Sequence, residues 1–265
     1  MKSTIIRLME DAVMKAGRAL ARDFGEVENL QVSRKGTKDF VTSADLKSES
    51  ILIKELQKVR PEYGFLTEES GEIKGKDEEF RWICDPLDGT VNFMHGIPHF
   101  AISLALEKKQ PNGKREITAG VIQAPASGEI YWAERGLGAF CGNRRLKVSS
   151  RNKLEEALLV TCFDAGKDDS DGIKALMDMD LNTRIFNSSA LDLAYVAAGK
   201  IDVFWHDKLK PWDIAAGVLL VREARGVVTQ IDGRDFEIDK GSVLAGNEVL
   251  HEKISSTLPE YYAKK

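Results

Sequence analysis

Two aspartates three residues apart end an apolar stretch in Trp82-Ile-Cys-Asp85-Pro-Leu-Asp88-Gly-Thr90-Val-Asn92-Phe93. Carboxylates held this close repel each other, so a half-buried pair either keeps protons or is neutralised by positive charge. A hard divalent cation meets that need. Mg²⁺ takes oxygen ligands at about 2.0–2.1 Å and keeps water and phosphate oxygens in its shell. Pro86 stiffens the turn between the acids, and Gly89 lets backbone approach a ligand closely. The N–H groups of Gly89 and Thr90 can then face an anion. The competing reading is a solvated turn in which Asp85 and Asp88 only cap the next element.

Three other segments carry acids in similar settings. Thr67-Glu68-Glu69-Ser70 ends a strand, Val41-Thr-Ser-Ala-Asp45 opens a helix, and Pro211-Trp-Asp213-Ile-Ala-Ala-Gly217 opens another. Taken singly, Glu68 and Glu69 read as surface charge, and Asp45 and Asp213 as N-caps. A D-x-D phosphatase motif is set aside, because the spacing of Asp85 and Asp88 is three rather than two. His95 and His99 are separated by Pro98, which spoils a helical zinc pair. They read as loop packing.

The elements that position these acids follow from periodicity. Ile5, Met9, Ala12, Ala16 and Leu20 keep helical spacing in a first helix over 1–24, ended near Gly25. A loop or short hairpin is expected around Lys35-Gly36. Thr42 and Ser43 can cap a second helix beginning near Asp45, with Leu46, Ile51, Leu52, Leu56 and Val59 apolar and Pro61 as its stop. Short strands are predicted at Tyr63–Thr67 and Phe80–Cys84, with 71–79 as a polar loop. Strands at 100–107, 116–124 and 129–133, joined by turns at Pro111-Asn-Gly113 and Ala126-Ser-Gly128, imply an antiparallel sheet. Beyond 150 the types mix. Strands are predicted at 158–163, 202–205, 227–230 and 242–245, and helices at 189–198, 212–223 and from about 247. Two packed halves result, α+β over about 1–150 and α/β over about 151–265, in one layered α/β unit.

Bulk properties agree with a soluble globular chain. It has 265 residues, 43% hydrophobic and 30% charged, with a net charge of −4. That balance argues against sequence-independent nucleic-acid binding. Cys84, Cys141 and Cys162 are widely spaced and form no C-x-x-C, so they read as free thiols of a reducing compartment. Glu10, Asp11 and Lys15 interrupt what a signal peptide would keep apolar, and no apolar run approaches the roughly 20 residues of a membrane span. A cytoplasmic protein with no membrane contact is expected.

Read together, D-P-L-D-G-T-V-N-F, W-D-I-A-A-G and the preceding E-E-S resemble the signatures of the inositol monophosphatase family, in that family's order. The similarity runs from Asp39-Phe-Val-Thr-Ser-Ala-Asp45 to Ser242-Val-Leu-Ala-Gly-Asn247 and is greatest to the bacterial branch. The resemblance implies the family's alternating helix and sheet layers, an α+β layered sandwich, and a role for each residue that matches the family's motifs. Glu68, Asp85 and the Leu87 carbonyl would hold a first Mg²⁺, and Asp85, Asp88 and Asp213 a second. A third ion would sit near Glu68. Gly89 and Thr90 would hold the phosphate. Glu68 and Thr90 would orient and deprotonate the attacking water, with Asp45 holding Thr90. Asp88, Ser188, Ser189 and His206 would face the alcohol. Trp82, Phe93, Trp205 and Trp212 read as core residues flanking the ligands.

The same resemblance implies a homodimer, inhibition by Li⁺, and hydrolysis of myo-inositol 1-phosphate or a similar phosphorylated polyol or sugar. Other small phosphates compete as substrates: fructose 1,6-bisphosphate, a nucleotide 3′-phosphate, histidinol phosphate or NADP. A binding role in RNA processing or transcription, to which bacterial relatives are linked, is the reading of another class. Three departures from the family pattern bear on selectivity. His206 stands where inositol-specific members carry glutamate, although it also reads as a loop histidine beside Asp207. Asn187 stands where glycine is usual, and Arg225 interrupts a usual Glu-Ala-Gly-Gly run.

Overall fold

Helix α1 (Thr4–Phe24) buries Met9, Ala12, Ala16 and Leu20 as the spacing predicts, while Ile6 rather than Ile5 takes the first buried position and Val13 joins the face. Its first turn is closed by Ser3, whose hydroxyl accepts the Ile6 N–H at 3.2 Å. The computed structural model describes residues 2–26, 32–34, 40–162 and 181–262. The hairpin turn expected around Lys35-Gly36 therefore lies outside the described residues, although its flanks, β1 (Val32–Arg34) and β2 (Phe40–Thr42), pair antiparallel. Helix α2 (Ser43–Val59) starts from a capping box. The Thr42 hydroxyl accepts the Ala44 N–H at 3.1 Å, and Asp45 accepts the Thr42 N–H at 3.0 Å. Leu46 and Val59, expected on its apolar face, are instead 55% and 42% exposed. The buried face carries Asp45, Ser48 and Glu49 beside Ala44, Leu52 and Leu56, so polarity misplaces it.

Eight strands form the first sheet. They are β3 (Tyr63–Thr67), β4 (Gly71–Ile73), β5 (Asp77–Asp88), β6 (Ala101–Lys109), β7 (Arg115–Ala124), β8 (Glu129–Glu134), β9 (Gly138–Cys141) and β10 (Arg144–Arg145). Their spatial order is β10-β9-β8-β7-β6-β5-β3-β4, with a short helix α3 (Thr90–Met94) between β5 and β6. From β5 to β10 every pairing is antiparallel, as the turns imply, whereas β3 and β5 run parallel. The expected loop at 71–79 is corrected. Gly71–Ile73 pairs with β3, and β5 begins at Asp77. Backbone pairing at a sheet edge asks for no apolar side chains, so composition alone misses it.

The second sheet has β11 (Leu158–Thr161), β12 (Asn182–Ile185), β13 (Val203–His206), β14 (Val227–Thr229) and β15 (Val243–Gly246), in the order β12-β11-β13-β15-β14. The expected extension of β11 to Phe163 falls outside the described residues. Helices α4 (Ser189–Ala197), α5 (Pro211–Glu223) and α6 (Glu248–Tyr262) complete the fold.

Alternation along each strand assigns the layers. On β6, Ile102, Leu104 and Leu106 join the core beneath α1 and α2, while Ala101 and Ala105 join the core that contains α4 and α5. That second core also takes Val160, Phe204, Val243 and Ala245 from the second sheet. The opposite face of that sheet packs Leu159, Val203 and Leu244 on Leu250, Ile254 and Leu258 of α6. Five layers result: helix pair, large sheet, helix pair, small sheet, helix. Each fully buried Leu or Ile contributes roughly 1.5–3 kcal/mol. Backbones of two layers come close at Gly120 of β7, where an added Cβ would lie 3.0 Å from the Ala216 Cα of α5. Among the described residues no helix is long and apolar enough to cross a membrane.

The structure explains two departures from the family pattern. Asn187 and Arg225 have φ of 56° and 67°, the left-handed region that favours glycine, and asparagine tolerates it better than most residues. Arg225 follows α5, where its N–H reaches the Arg222 carbonyl at 3.0 Å and the Gly226 N–H reaches the Val221 carbonyl at 2.8 Å. That is a Schellman ending with arginine in the glycine position. Arg225→Gly is expected to stabilise the fold by about 0.5–1 kcal/mol, read as a higher urea midpoint at unchanged slope. A lower midpoint would show that the arginine side chain contributes more than its backbone costs.

Candidate active site

Strand pairing brings the acids to one end of the large sheet. Because β3 and β5 are parallel with Thr67 opposite Cys84, Glu68, just past the end of β3, comes beside Asp85 of β5. Asp85 and Asp88 would point to opposite faces of a regular strand, being three residues apart. The pairing with β6 is not regular. Asp85 lies opposite Ser103 and Asp88 opposite Ala101, so β5 carries one extra residue there. Such a bulge shifts the alternation by one and turns both carboxylates to the same side.

Helices supply the rest. Asp213 stands in the first turn of α5, where its carboxylate accepts the Lys210 N–H at 2.8 Å. The Ser103 hydroxyl donates to the Trp212 carbonyl at 3.1 Å and ties that turn to β6. Asp88 accepts from the Ser188 hydroxyl at 2.7 Å and the Ala190 N–H at 2.8 Å, which joins β5 to the start of α4. Asp45 reaches Thr90, whose hydroxyl lies 3.2 Å from the Asp45 carboxylate and 3.0 Å from the Leu87 carbonyl. Gly89 has φ 89°, and a Cβ there would come within 3.0 Å of the His99 carbonyl, so no other residue fits this turn comfortably.

Electrostatics indicate the kind of ligand the site suits. Burial pushes the Asp85 carboxyl well above the usual carboxylate range, and the charges of Glu68, Asp88 and Asp213 push it further, against the bond from the Leu87 N–H. Burial also raises Asp88, opposed by its bonds from Ser188 and Ala190. It raises Asp45, opposed by the bonds from Thr42 and Thr90. Acids that repel this strongly ionise together only beside a cation. The donors are carboxylate and carbonyl oxygens, a set that suits a hard divalent ion. Among the described residues no three acidic, histidine or cysteine side chains are already drawn together as a ligand group. Asp45, Asp85 and Asp213 are each anchored by a local hydrogen bond, and Asp88 by bonds from the start of α4.

The structure thus gathers Asp45, Glu68, Asp85, Leu87, Asp88, Thr90, Asp213 and Ser188, with Gly89 in the turn. Ser189 is near, but its hydroxyl lies 3.2 Å from the Cys162 sulfur. His206 is a buried residue of β13 opposite Val243, which corrects its reading as a loop histidine. Trp82, Phe93 and Trp205 are buried core residues, as expected, and Trp212 is partly buried. Two roles were not anticipated. His99 is more than loop packing. Its ring nitrogen lies 3.0 Å from Asp192 on α4, a carboxyl that burial pushes up to about 6 against the pull of that histidine. Asn92 donates to the carbonyls of His99 at 2.8 Å and Phe186 at 2.7 Å. Both residues lace the 186–192 segment to the β5–β6 connection. Asn92 lies inside the acidic signature, which was a usable signal; His99 offered none.

The model of the inositol monophosphatase family matches residues 1–263. The chain belongs to the inositol monophosphatase family. An inositol-1-monophosphatase of Mesorhizobium japonicum is 50% identical over 254 residues, covering 94% of each chain. The Nus factor SuhB of Escherichia coli is 38% identical over 245 residues, covering 89% of this chain and 88% of that one. Among solved structures, the extragenic suppressor protein suhB of Bartonella henselae superimposes with a TM-score of 0.92 at 49% identity, covering 97% of this chain and 98% of that one. Membership makes the chain a phosphoric monoester hydrolase with the layered fold of inositol monophosphatases. The family is generally metal-dependent, in keeping with the all-oxygen site.

Proposed function

We propose that the protein hydrolyses a small phosphate monoester, first among them myo-inositol 1-phosphate, with two or three Mg²⁺ per active site. The observation that carries this reading is the convergence of Glu68, Asp88 and Asp213 on a buried Asp85. Glu68, Asp85 and the Leu87 carbonyl would hold one ion, Asp85, Asp88 and Asp213 another, and a third would lie near Glu68. The ions supply neutralisation of the phosphate dianion and acidification of a water.

The chain's own residues supply alignment and proton transfer. The N–H groups of Gly89 and Thr90 hold the phosphate. Glu68 and Thr90 orient the attacking water. Its proton passes to the Thr90 oxygen as the hydroxyl proton moves to Asp45, whose burial raises its basicity. A new P–O bond forms from the water and the ester P–O bond breaks; the leaving alkoxide takes a proton from solvent, and Asp45 releases to solvent the one it accepted. Asp88, Ser188, Ser189 and His206 face that alcohol. His206 in place of glutamate makes selectivity among polyols the open variable, with fructose 1,6-bisphosphate, nucleotide 3′-phosphates, histidinol phosphate and NADP as competitors.

The halves at about 1–150 and 151–265 act as one unit, since α4 and α5 serve the cores of both sheets. By resemblance the chain is a homodimer. Its three free cysteines suit the cytoplasm. A second reading, a role in transcription, draws on the relatives named Nus factor SuhB.

The test is phosphate release from this panel with Mg²⁺ titrated, with and without Li⁺. Mg²⁺-dependent, Li⁺-inhibited turnover of inositol 1-phosphate is expected. A folded, metal-loaded protein that turns over no ester would overturn the proposal and favour the second reading.

A further inference from the structure

Helix α2 presents three buried polar residues on one face: Asp45 at 1% exposure, Ser48 at 0% and Glu49 at 3%. Their spacing of i, i+3 and i+4 stacks them along one side of the helix. Each grips a different piece of the site. Asp45 reaches Thr90 at 3.2 Å. The Ser48 hydroxyl donates to the Pro86 carbonyl at 2.8 Å, inside the bulge that aims Asp85 and Asp88. Glu49 takes the third piece, the turn after β3. One of its carboxylate oxygens accepts the Glu69 N–H at 3.0 Å, and the other accepts the Ser70 hydroxyl.

We infer that Glu49 is a positioning residue for the divalent-cation site, acting through the 68–70 turn to fix Glu68 beside Asp85. The inference rests on the reading of Glu68 as a metal ligand. Its physical basis is geometric. Glu68 lies just beyond the last paired residue of β3, so the sheet no longer constrains it. The two hydrogen bonds from the next two residues to a buried helical carboxylate restore that constraint. Ligands held by buried partners bind metal more tightly than ligands that must be ordered on binding, and loss of such a partner weakens metal affinity about 10–100-fold.

The test is Mg²⁺ binding to the metal-free protein, read by calorimetry and by the Mg²⁺ dependence of the melting temperature, for wild type, Glu49→Ala, Glu49→Gln and Ser70→Ala. Glu49→Ala is expected to raise the Mg²⁺ dissociation constant at least about tenfold. Glu49→Gln, which keeps an acceptor for the Glu69 N–H, should fall between it and wild type. Ser70→Ala removes one bond, no charge and an exposed side chain, and should weaken Mg²⁺ about fivefold whether or not Glu49→Ala folds. At saturating Mg²⁺ the KM for inositol 1-phosphate should move less than about twofold, because the turn orders the cation and not the alcohol. Wild-type affinity in both Glu49→Gln and Ser70→Ala would overturn the inference alone. A wild type that binds no Mg²⁺ would overturn the cation reading and the inference with it.

Discussion

Asp88→Asn should lower phosphate release about 10³-fold or more while the protein stays folded. Asparagine keeps one oxygen, enough to accept from the Ser188 hydroxyl and the Ala190 N–H that Asp88 binds now at 2.7 and 2.8 Å. The link between β5 and α4 therefore survives. What is lost is a negative charge at the far side of the bulge from Asp85, where the proposal places the second cation. The loss should fall on kcat at every ester in the panel, since all share the phosphate. Circular dichroism and a thermal melt would establish folding. Residual activity within about tenfold of wild type would remove Asp88 from the chemistry.

Metal-free protein should become less stable as pH rises from about 4 to above 6, and Mg²⁺ should stabilise it more at pH 7.5 than at pH 5. Asp45, Asp85, Asp88 and Asp192 all titrate higher in the folded chain than the ordinary carboxylate value. Between the unfolded and folded pKa the native state binds more protons, so stability is full below the unfolded value and falls as pH climbs through the folded one. Asp192, pushed up to about 6, contributes a loss of about 3 kcal/mol on its own. Glu55, held at about 2 by Lys15 and Lys58, and Asp232, lowered by Arg234, act in the opposite sense and below that window. A cation between Asp85, Asp88 and Asp213 removes their share of the repulsion but leaves that of Asp192. Melting curves across pH, with chelator and with Mg²⁺, measure both effects. A Mg²⁺ shift that is equal or larger at pH 5 would contradict the arrangement.

The acids were legible in the sequence because their chemistry demands particular residue types in a particular order, and α1, β6, β7 and α4 because their apolar residues keep a period. What was illegible has a common cause. The edge strand β12 has the polar residues Asn182, Thr183 and Arg184, since a strand at an edge asks only for backbone partners. Nothing in the local sequence marks Glu49, because its burial depends on a turn some twenty residues away. The bulge at Pro86 and Leu87 shows only in the register against β6. The pairing of His99 with Asp192 spans 93 residues. Local pattern finds residues that pack by period; it does not find those whose partners are set by topology.

The bare contact between Gly120 and Ala216 acts as a ruler for the catalytic chemistry. Asp213 rides on α5, and α5 rests on β7 with only the Ala216 methyl as a side chain at that point. The height of the helix above the sheet, and so the gap that Asp213 must bridge to Asp85, is set there by the thickness of two backbones. A single methyl group at Gly120 would lift the helix by a fraction of an ångström, comparable to the tolerance of a Mg²⁺–oxygen bond. Residue 120 has no polar side chain, yet if Asp213 and Asp85 share a cation as proposed, its size bears on turnover. Screens for variants that alter turnover belong on this seam between layers as well as around the acidic cluster.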